Sequence, residues 1–321
     1  MMSALDRSKT QVARLWRIDA PLTATAAFML VALAASMLGL VIDPRLIGGA
    51  PAWLKPAKFA ASISIYSLTL IWLFTYIPRA ERTRRVVGRL SAVVMGVELG
   101  IIALQAARGT TSHFNVSTPL NAALFMIMGL AIVTQTLSTV AVAVALFRAQ
   151  HADHALGWAL RLGMLITIAG ASLGGLMTQP TDAQLADMRA GNVVVSGAHT
   201  VGAPDGGAGI PISGWSREHG DLRIAHFVGL HALQVLPLAA LALRRTRASS
   251  SQRTRLVKIL AGSHAALVGL LLWQALRGQA LLSPDASTLA ALLAWFTLTG
   301  AGAWRALVPT ALPQPGAVIA S

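Results

Sequence analysis

Apolar positions along this chain fall into runs of roughly 20 residues, the length an α-helix needs to cross the hydrocarbon layer at about 1.5 Å per residue. Eight such runs are read, at about 21–42, 55–77, 86–107, 119–147, 157–178, 224–243, 256–276 and 288–308. The pattern predicts an all-α integral membrane protein with eight transmembrane helices. The first run lacks the small-residue cleavage pattern of a removable signal peptide and has polar neighbours, so it is read as a helix that stays.

Composition agrees: of 321 residues, 55% are apolar and 12% charged. Cysteine is absent, which excludes disulfides, thiolate metal sites and thiol nucleophiles. A net charge of +14 would point to nucleic acid in a soluble protein, but its distribution points to topology. The N-terminus, the joins at 78–90, 148–161 and 244–258, and the C-terminal end hold 18 of the 26 Lys and Arg residues. These are alternate segments, so they share one side of the membrane. The positive-inside tendency makes that side cytoplasmic and places both termini there. The expected location is a bacterial inner (plasma) membrane, and RRTRASSSQRTRLVK (244–258) is read as a topology signal lying against anionic headgroups, not as a nucleic-acid site.

Two runs end alike, LQAARG at 104–109 and WQALRG at 273–278. The likeness continues in order: AASMLGLVIDP (34–44) with GASLGGLMTQP (170–180), AKFAASISIYSL (57–68) with AHFVGLHALQVL (225–236), ERTRR (81–85) with QRTRL (252–256), and STPLNAAL (117–124) with STLAALL (287–293). Five matches in one order predict two tandem four-helix bundles, residues 1–150 and 151–321. Four is even, so both copies enter the membrane in the same sense, a parallel 4+4 pseudo-repeat about an axis along the membrane normal. The halves differ at the outer segment 179–223, which reads either as a structured lid or as a glycine-rich linker.

Polar groups inside a membrane cost free energy unless paired, so each marks a candidate site. Lys55, Lys58, Ser62, Tyr66 and Thr69 share one face of the second helix, and Glu98, Gln105 and Arg108 share one face of the third. Helix rise puts Glu98 about 15 Å deep and His231 about 13 Å deep. Glu98 is therefore expected near Tyr66 or His231 rather than Lys58. In the second half Arg223, His226, Gln234, Gln274 and Arg277 stand where the first has Lys55, Lys58, Tyr66, Gln105 and Arg108, but Leu267 replaces Glu98. A carboxylate in one half only fits one active site and one structural counterpart; a protonated Glu98 bridging two helices fits equally. In RGTTSHFN (108–115), Arg108 can hold an anion and His113 orient a ligand, or Arg-Gly can simply close the helix.

His226 and His231 lie five residues apart, about 140° around a helix, and cannot bind one ion from one face. His199, Asp205, His219, Asp221 and His226 have metal-ligand chemistry without a recognised spacing, so the identity of any metal stays open. Two four-helix bundles in one chain resemble the haem A synthase family in architecture. The resemblance implies axial histidine pairs on the second and fourth helices of each half, and here the second, fourth and eighth helices contain no histidine. One haem b held by His113, His226 or His231, with Lys55, Lys58, Arg108 and Arg277 on its propionates, is what it leaves. The first functional expectation is a membrane redox or group-modifying enzyme for haem, a quinone or a lipid-borne substrate. Glu98, His231 and Tyr66 would handle protons, and His113, His226, Lys55, Lys58, Gln105, Arg108, Gln234, Gln274 and Arg277 would bind the ligand. A proton-coupled small-solute transporter using Glu98 and His231, and a non-catalytic sensor or assembly factor, are the alternatives.

Overall fold

The computed structural model describes residues 4–308. In chain order its elements are α1 (Ala4–Ile18), α2 (Ala20–Ile42), β1 (Leu46–Ile47), β2 (Ala50–Pro51), α3 (Leu54–Phe74), α4 (Glu81–Ala107), α5 (Pro119–Arg148), α6 (His154–Ser172), α7 (Gly174–Met177), α8 (Asp182–Arg189), β3 (Thr200–Val201), β4 (Gly220–Asp221), α9 (Leu222–Leu230), α10 (Ala232–Leu243), α11 (Ser250–Leu276) and α12 (Ala286–Leu307). Among the described residues seven helices are long and apolar enough to cross a membrane, and the number is eight if the pair α9–α10, bent by 44°, is one span. The chain is a multi-pass, all-α membrane protein whose strands are two short antiparallel pairs.

Helix starts are written in the sequence. Asp19, Thr118, Asp153 and Asp285 each accept a hydrogen bond from the backbone N–H three residues on, capping α2, α5, α6 and α12. Ser249 and Gln252 make a reciprocal capping box on α11. The joins at 75–80, 149–153 and 244–249 lie at one end with α1, here the basic end; the joins at 43–53, 108–118, 173–221 and 277–285 form the loop end. α1 was not foreseen. Leu15 and Ile18 pack on the core while Val12 and Trp16 stay exposed, as in a helix lying in a membrane interface.

In the first half α3 packs against α2 and α4, and α4 also reaches α2 and α5. In the second half α9–α10 packs against α6 and α11, and α11 also reaches α6 and α12. Toward the basic end both halves share one apolar cluster, with Phe74, Leu146, Leu160 and Leu70 fully buried. α6 and α9 cross backbone to backbone: a Cβ on Gly170 would lie 2.6 Å from the Gly229 carbonyl carbon, so only glycine fits. Beside this crossing the span breaks at His231. Thr167 Oγ1 donates to Leu230 O (3.2 Å) and accepts from Leu233 N (3.1 Å), taking over backbone groups that the break frees. Pro237, which cannot donate to a carbonyl one turn earlier, stabilises the same bend.

Candidate functional site

The repeated Gln-x-x-Arg-Gly is a helix terminator joined to a clamp. After α4, Thr110 N donates to Gln105 O (3.0 Å) and Gly109 N to Ala106 O (3.0 Å); after α11, Gln279 N donates to Gln274 O (3.2 Å) and Gly278 N to Ala275 O (2.9 Å). These are the two bonds of a Schellman motif, which needs a left-handed residue after the C-cap. Gly109 and Gly278 supply it, with φ of 72° and 71°. The Gln105 amide then donates to Thr111 O (3.3 Å) and the Gln274 amide to Ala280 O (2.9 Å). Arg108 donates to Asn121 Oδ1 (2.9 Å), and Arg277 to Asp285, Ser287 Oγ (2.9 Å) and Thr288 Oγ1 (3.2 Å). Each arginine thus ties the end of one span to the start of the next. The structure places Gln105, Arg108, Gln274 and Arg277 in this clamp.

What differs between the halves is the loop each clamp closes. Residues 110–117 fold inward around Asn115, whose amide donates to Thr110 Oγ1 (2.8 Å) and Thr111 O (3.1 Å) and whose oxygen accepts from Ser117. Phe114 adopts a φ of 62°, a conformation a side chain rarely takes outside constrained sites. The turn carries His113 down between α3 and α4. Its Nδ1 lies 2.9 Å from Lys55 Nζ and its Nε2 lies 3.6 Å from Glu98 Oε1. Ser112 Oγ also approaches Nδ1, at 3.2 Å. Burial, reinforced by the Lys55 charge, holds the His113 imidazole well below its ordinary value of 6.5. It is neutral, with Nδ1 turned to Lys55 and Nε2 turned to Glu98. Glu98 is 1% exposed, and its Oε2 has no hydrogen-bond partner.

A lysine in the first turn of a helix opposes its dipole, so Lys55 does nothing for the start of α3. Lys55 serves His113, and Lys58 donates to Ser213 O (3.0 Å) of the 179–223 segment. That segment is built, not slack. Thr181 and Gln184 form a capping box on α8, and the Gln184 amide pairs with both backbone groups of Gly197 at 2.9 Å. Val194 to Ser196 run alongside Phe114 to Val116 with backbone bonds of 2.8 and 3.0 Å. Asp221, 1% exposed, caps α9, accepts from Ser216 N (2.8 Å) and grips Arg223, which reaches on to Gly214 O (2.7 Å). Residues 179–223 therefore form a structured segment rather than a slack linker.

Glu98 meets His113, not Tyr66 or His231. Tyr66 accepts from the Gln135 amide (2.7 Å) and Gln234 donates to Thr69 Oγ1 (3.3 Å) across the two halves. His226 Nδ1 faces Gly170 O (2.8 Å), and His231 Nδ1 faces Phe227 O (2.8 Å) with its ring on the part-exposed Phe227 ring. Helix rise alone leaves residues 110–117 at the end of α4, whereas the loop folds back and brings His113 to Glu98. The groups assigned to a haem are also engaged elsewhere: His113 by Lys55 and Glu98, Lys58 by Ser213, Arg108 and Arg277 by the clamps. The other two histidines assigned to it, His226 and His231, each turn Nδ1 to a backbone carbonyl. No group of three or more His, Cys, Asp and Glu side chains among the described residues has metal-holding geometry. Sequence reasoning missed His199–Asp205 as a hydrogen-bonded pair (2.9 Å), since six residues within a glycine-rich stretch carry no periodic signal. No family model, curated protein or solved structure matches this chain.

Proposed function

We propose that this is a bacterial plasma-membrane enzyme, both termini cytoplasmic, in which Lys55, His113 and Glu98 handle protons during modification of a small or lipid-borne substrate reaching the outer face. The observation that carries the reading is the buried Lys55–His113–Glu98 chain, with an unpartnered carboxyl oxygen, beneath the built 179–223 cover. A buried polar atom without a partner in a native structure calls for a ligand, water or proton. Duplication of a four-helix unit is supported by the same set of helix neighbours in each half and by the matching Schellman ends. One half then keeps the carboxylate, and the other, with Leu267 in its place, keeps only the clamp.

An enzyme is favoured over a proton-coupled transporter by the apolar cluster that fills the basic end, where a transporter needs a polar route. Two measurements on the wild-type chain and Glu98→Gln separate the readings. Mass spectrometry of lipid and quinone extracts from expressing cells is expected to reveal a species formed by the wild type alone. Proton flux in proteoliposomes is expected to be equal for both. Identical extracts together with a Glu98-dependent flux would reverse the choice.

A further inference from the structure

The cover carries a titratable pair that the proposed mechanism does not use. Asp205 accepts three donors: His199 N (3.0 Å), Thr200 N (2.8 Å) and His199 Nδ1 (2.9 Å). Burial alone would raise this carboxyl, but the donors from His199 and Thr200 together outweigh it and hold Asp205 below its ordinary value of 3.8. With Nδ1–H fixed on a carboxylate, the imidazole presents a lone pair at Nε2. That nitrogen makes no hydrogen bond among the described residues. The ring is also held in place: it packs edge-on against Phe114 with centroids 4.8 Å apart, and His113 lies 6.1 Å from the same Phe114 ring. The left-handed turn at Phe114 therefore inserts one aromatic ring between two imidazoles, one belonging to the buried chain and the other to the cover.

The charges around the pair define what would bind. Arg223 and Asp221 neutralise each other, and Asp205 is committed to His199. Lys55 then has Glu98 as its nearest carboxylate and Lys58 has Arg223 beside it, an excess of positive charge that favours an anionic group. Lys58 makes a single hydrogen bond, to Ser213 O, and has donors to spare. Burial, together with the Arg223 and Lys55 charges, lowers His199 below 6.5 against the opposing pull of Asp205; His113 and His226 complete the titratable groups within electrostatic reach. At neutral pH His199 is unprotonated.

We infer that His199 is a catalytic base of this site, taking a proton at Nε2 from an anionic substrate held by Lys58, with Asp205 orienting the ring and stabilising the imidazolium that results. The inference rests on the Lys55–His113–Glu98 chain being a substrate site.

The test is modification by diethyl pyrocarbonate of the full-length protein in nanodiscs, read residue by residue by mass spectrometry across pH. Only neutral imidazole reacts. His199 is expected to react faster than His113, whose two ring nitrogens face Lys55 and Glu98, and its rate is expected to follow a single titration. Asp205→Asn is expected to shift that titration to lower pH by about one unit, since an opposite charge no longer favours the protonated form. A His199 no more reactive than His113 would overturn the assignment from the wild type alone, whether or not the variant folds. An unmoved titration in a folded Asp205→Asn would do so as well. His199→Gln is expected to lose the product seen in wild-type extracts while keeping the wild-type melting temperature; undiminished product would also overturn it. If Glu98→Gln leaves the extracts unchanged, the site reading falls separately, and the reactivity of His199 still decides whether the pair exists as a base.

Discussion

Gly170→Val is expected to destabilise the folded protein by about 3 kcal/mol, the upper end of what overpacking costs in a close-packed interior. The reason is where the obstruction lies. A Cβ at position 170 would meet Gly229 backbone atoms at 2.6 and 2.7 Å, and one at position 229 would meet Gly170 Cα at 2.6 Å. Backbone cannot rotate aside as a side chain can, so α6 and α9 must separate. Separation pulls Thr167 from Leu230 and Leu233 and exposes the break that it bridges. Close approach of helices over small residues is a main source of packing stability inside a membrane, so the substitution removes more than its own volume. Gly262→Ala is the matched control. A Cβ there meets nothing within 4 Å, and the gain in helix propensity is expected to raise stability by roughly 0.5 to 1 kcal/mol. Reversible unfolding in mixed micelles measures both. Equal effects at the two positions would mean that α6 and α9 do not cross as described.

Lys55→Met is expected to cost about 1 to 3 kcal/mol, as leaving a buried polar group without its hydrogen-bond partner does. It strips His113 of its donor at Nδ1 and leaves Glu98 without the cation nearest to it. The double variant Lys55→Met/Glu98→Gln is expected to recover most of that loss, because a neutral amide removes the charge left uncompensated. The cycle therefore carries a large coupling energy between residues that touch only through His113. Additive single effects, with no recovery in the double variant, would show that Lys55 and Glu98 act independently and that the chain through His113 is not an electrostatic unit.

The spans were legible because lipid imposes a length and a composition on any helix that crosses it. Residues 119–147 were read where the helix is Pro119–Arg148, and 55–77 where it is Leu54–Phe74. The break at His231 was not legible. The run 224–243 was read as one span, although His231, Gln234 and Pro237 interrupt it; the break also needs tertiary contacts, two glycines on separate spans touching and a threonine standing in for helix hydrogen bonds. The polar stripes were correct as faces but not as partnerships. Lys55, Lys58, Tyr66 and Thr69 do share a face, yet each answers to a different element: the 110–117 loop, the cover, α5 and α10. Glu98, Gln105 and Arg108 divide in the same way, the last two turning to Asn121. Sequence spacing fixes which residues can point together. It says nothing of a loop folding inward to meet them, and His113 was legible only as a residue that could orient a ligand.

The same geometry implies sidedness. Lys55 and Lys58 begin α3 at the loop end, whereas Lys258, over the Trp158 ring at 4.2 Å, lies at the basic end. The most direct test of a site open to one face only is therefore labelling with a membrane-impermeant amine reagent, applied to sealed vesicles of known orientation and located by peptide mass spectrometry. Reagent on the outer face is expected to modify Lys58 and, more slowly, Lys55, and to spare Lys258; reagent on the cytoplasmic face is expected to modify Lys258 and spare the other two. Labelling of Lys55 from the cytoplasmic face would contradict the proposal, since it would require a path through the apolar core that seals the basic end.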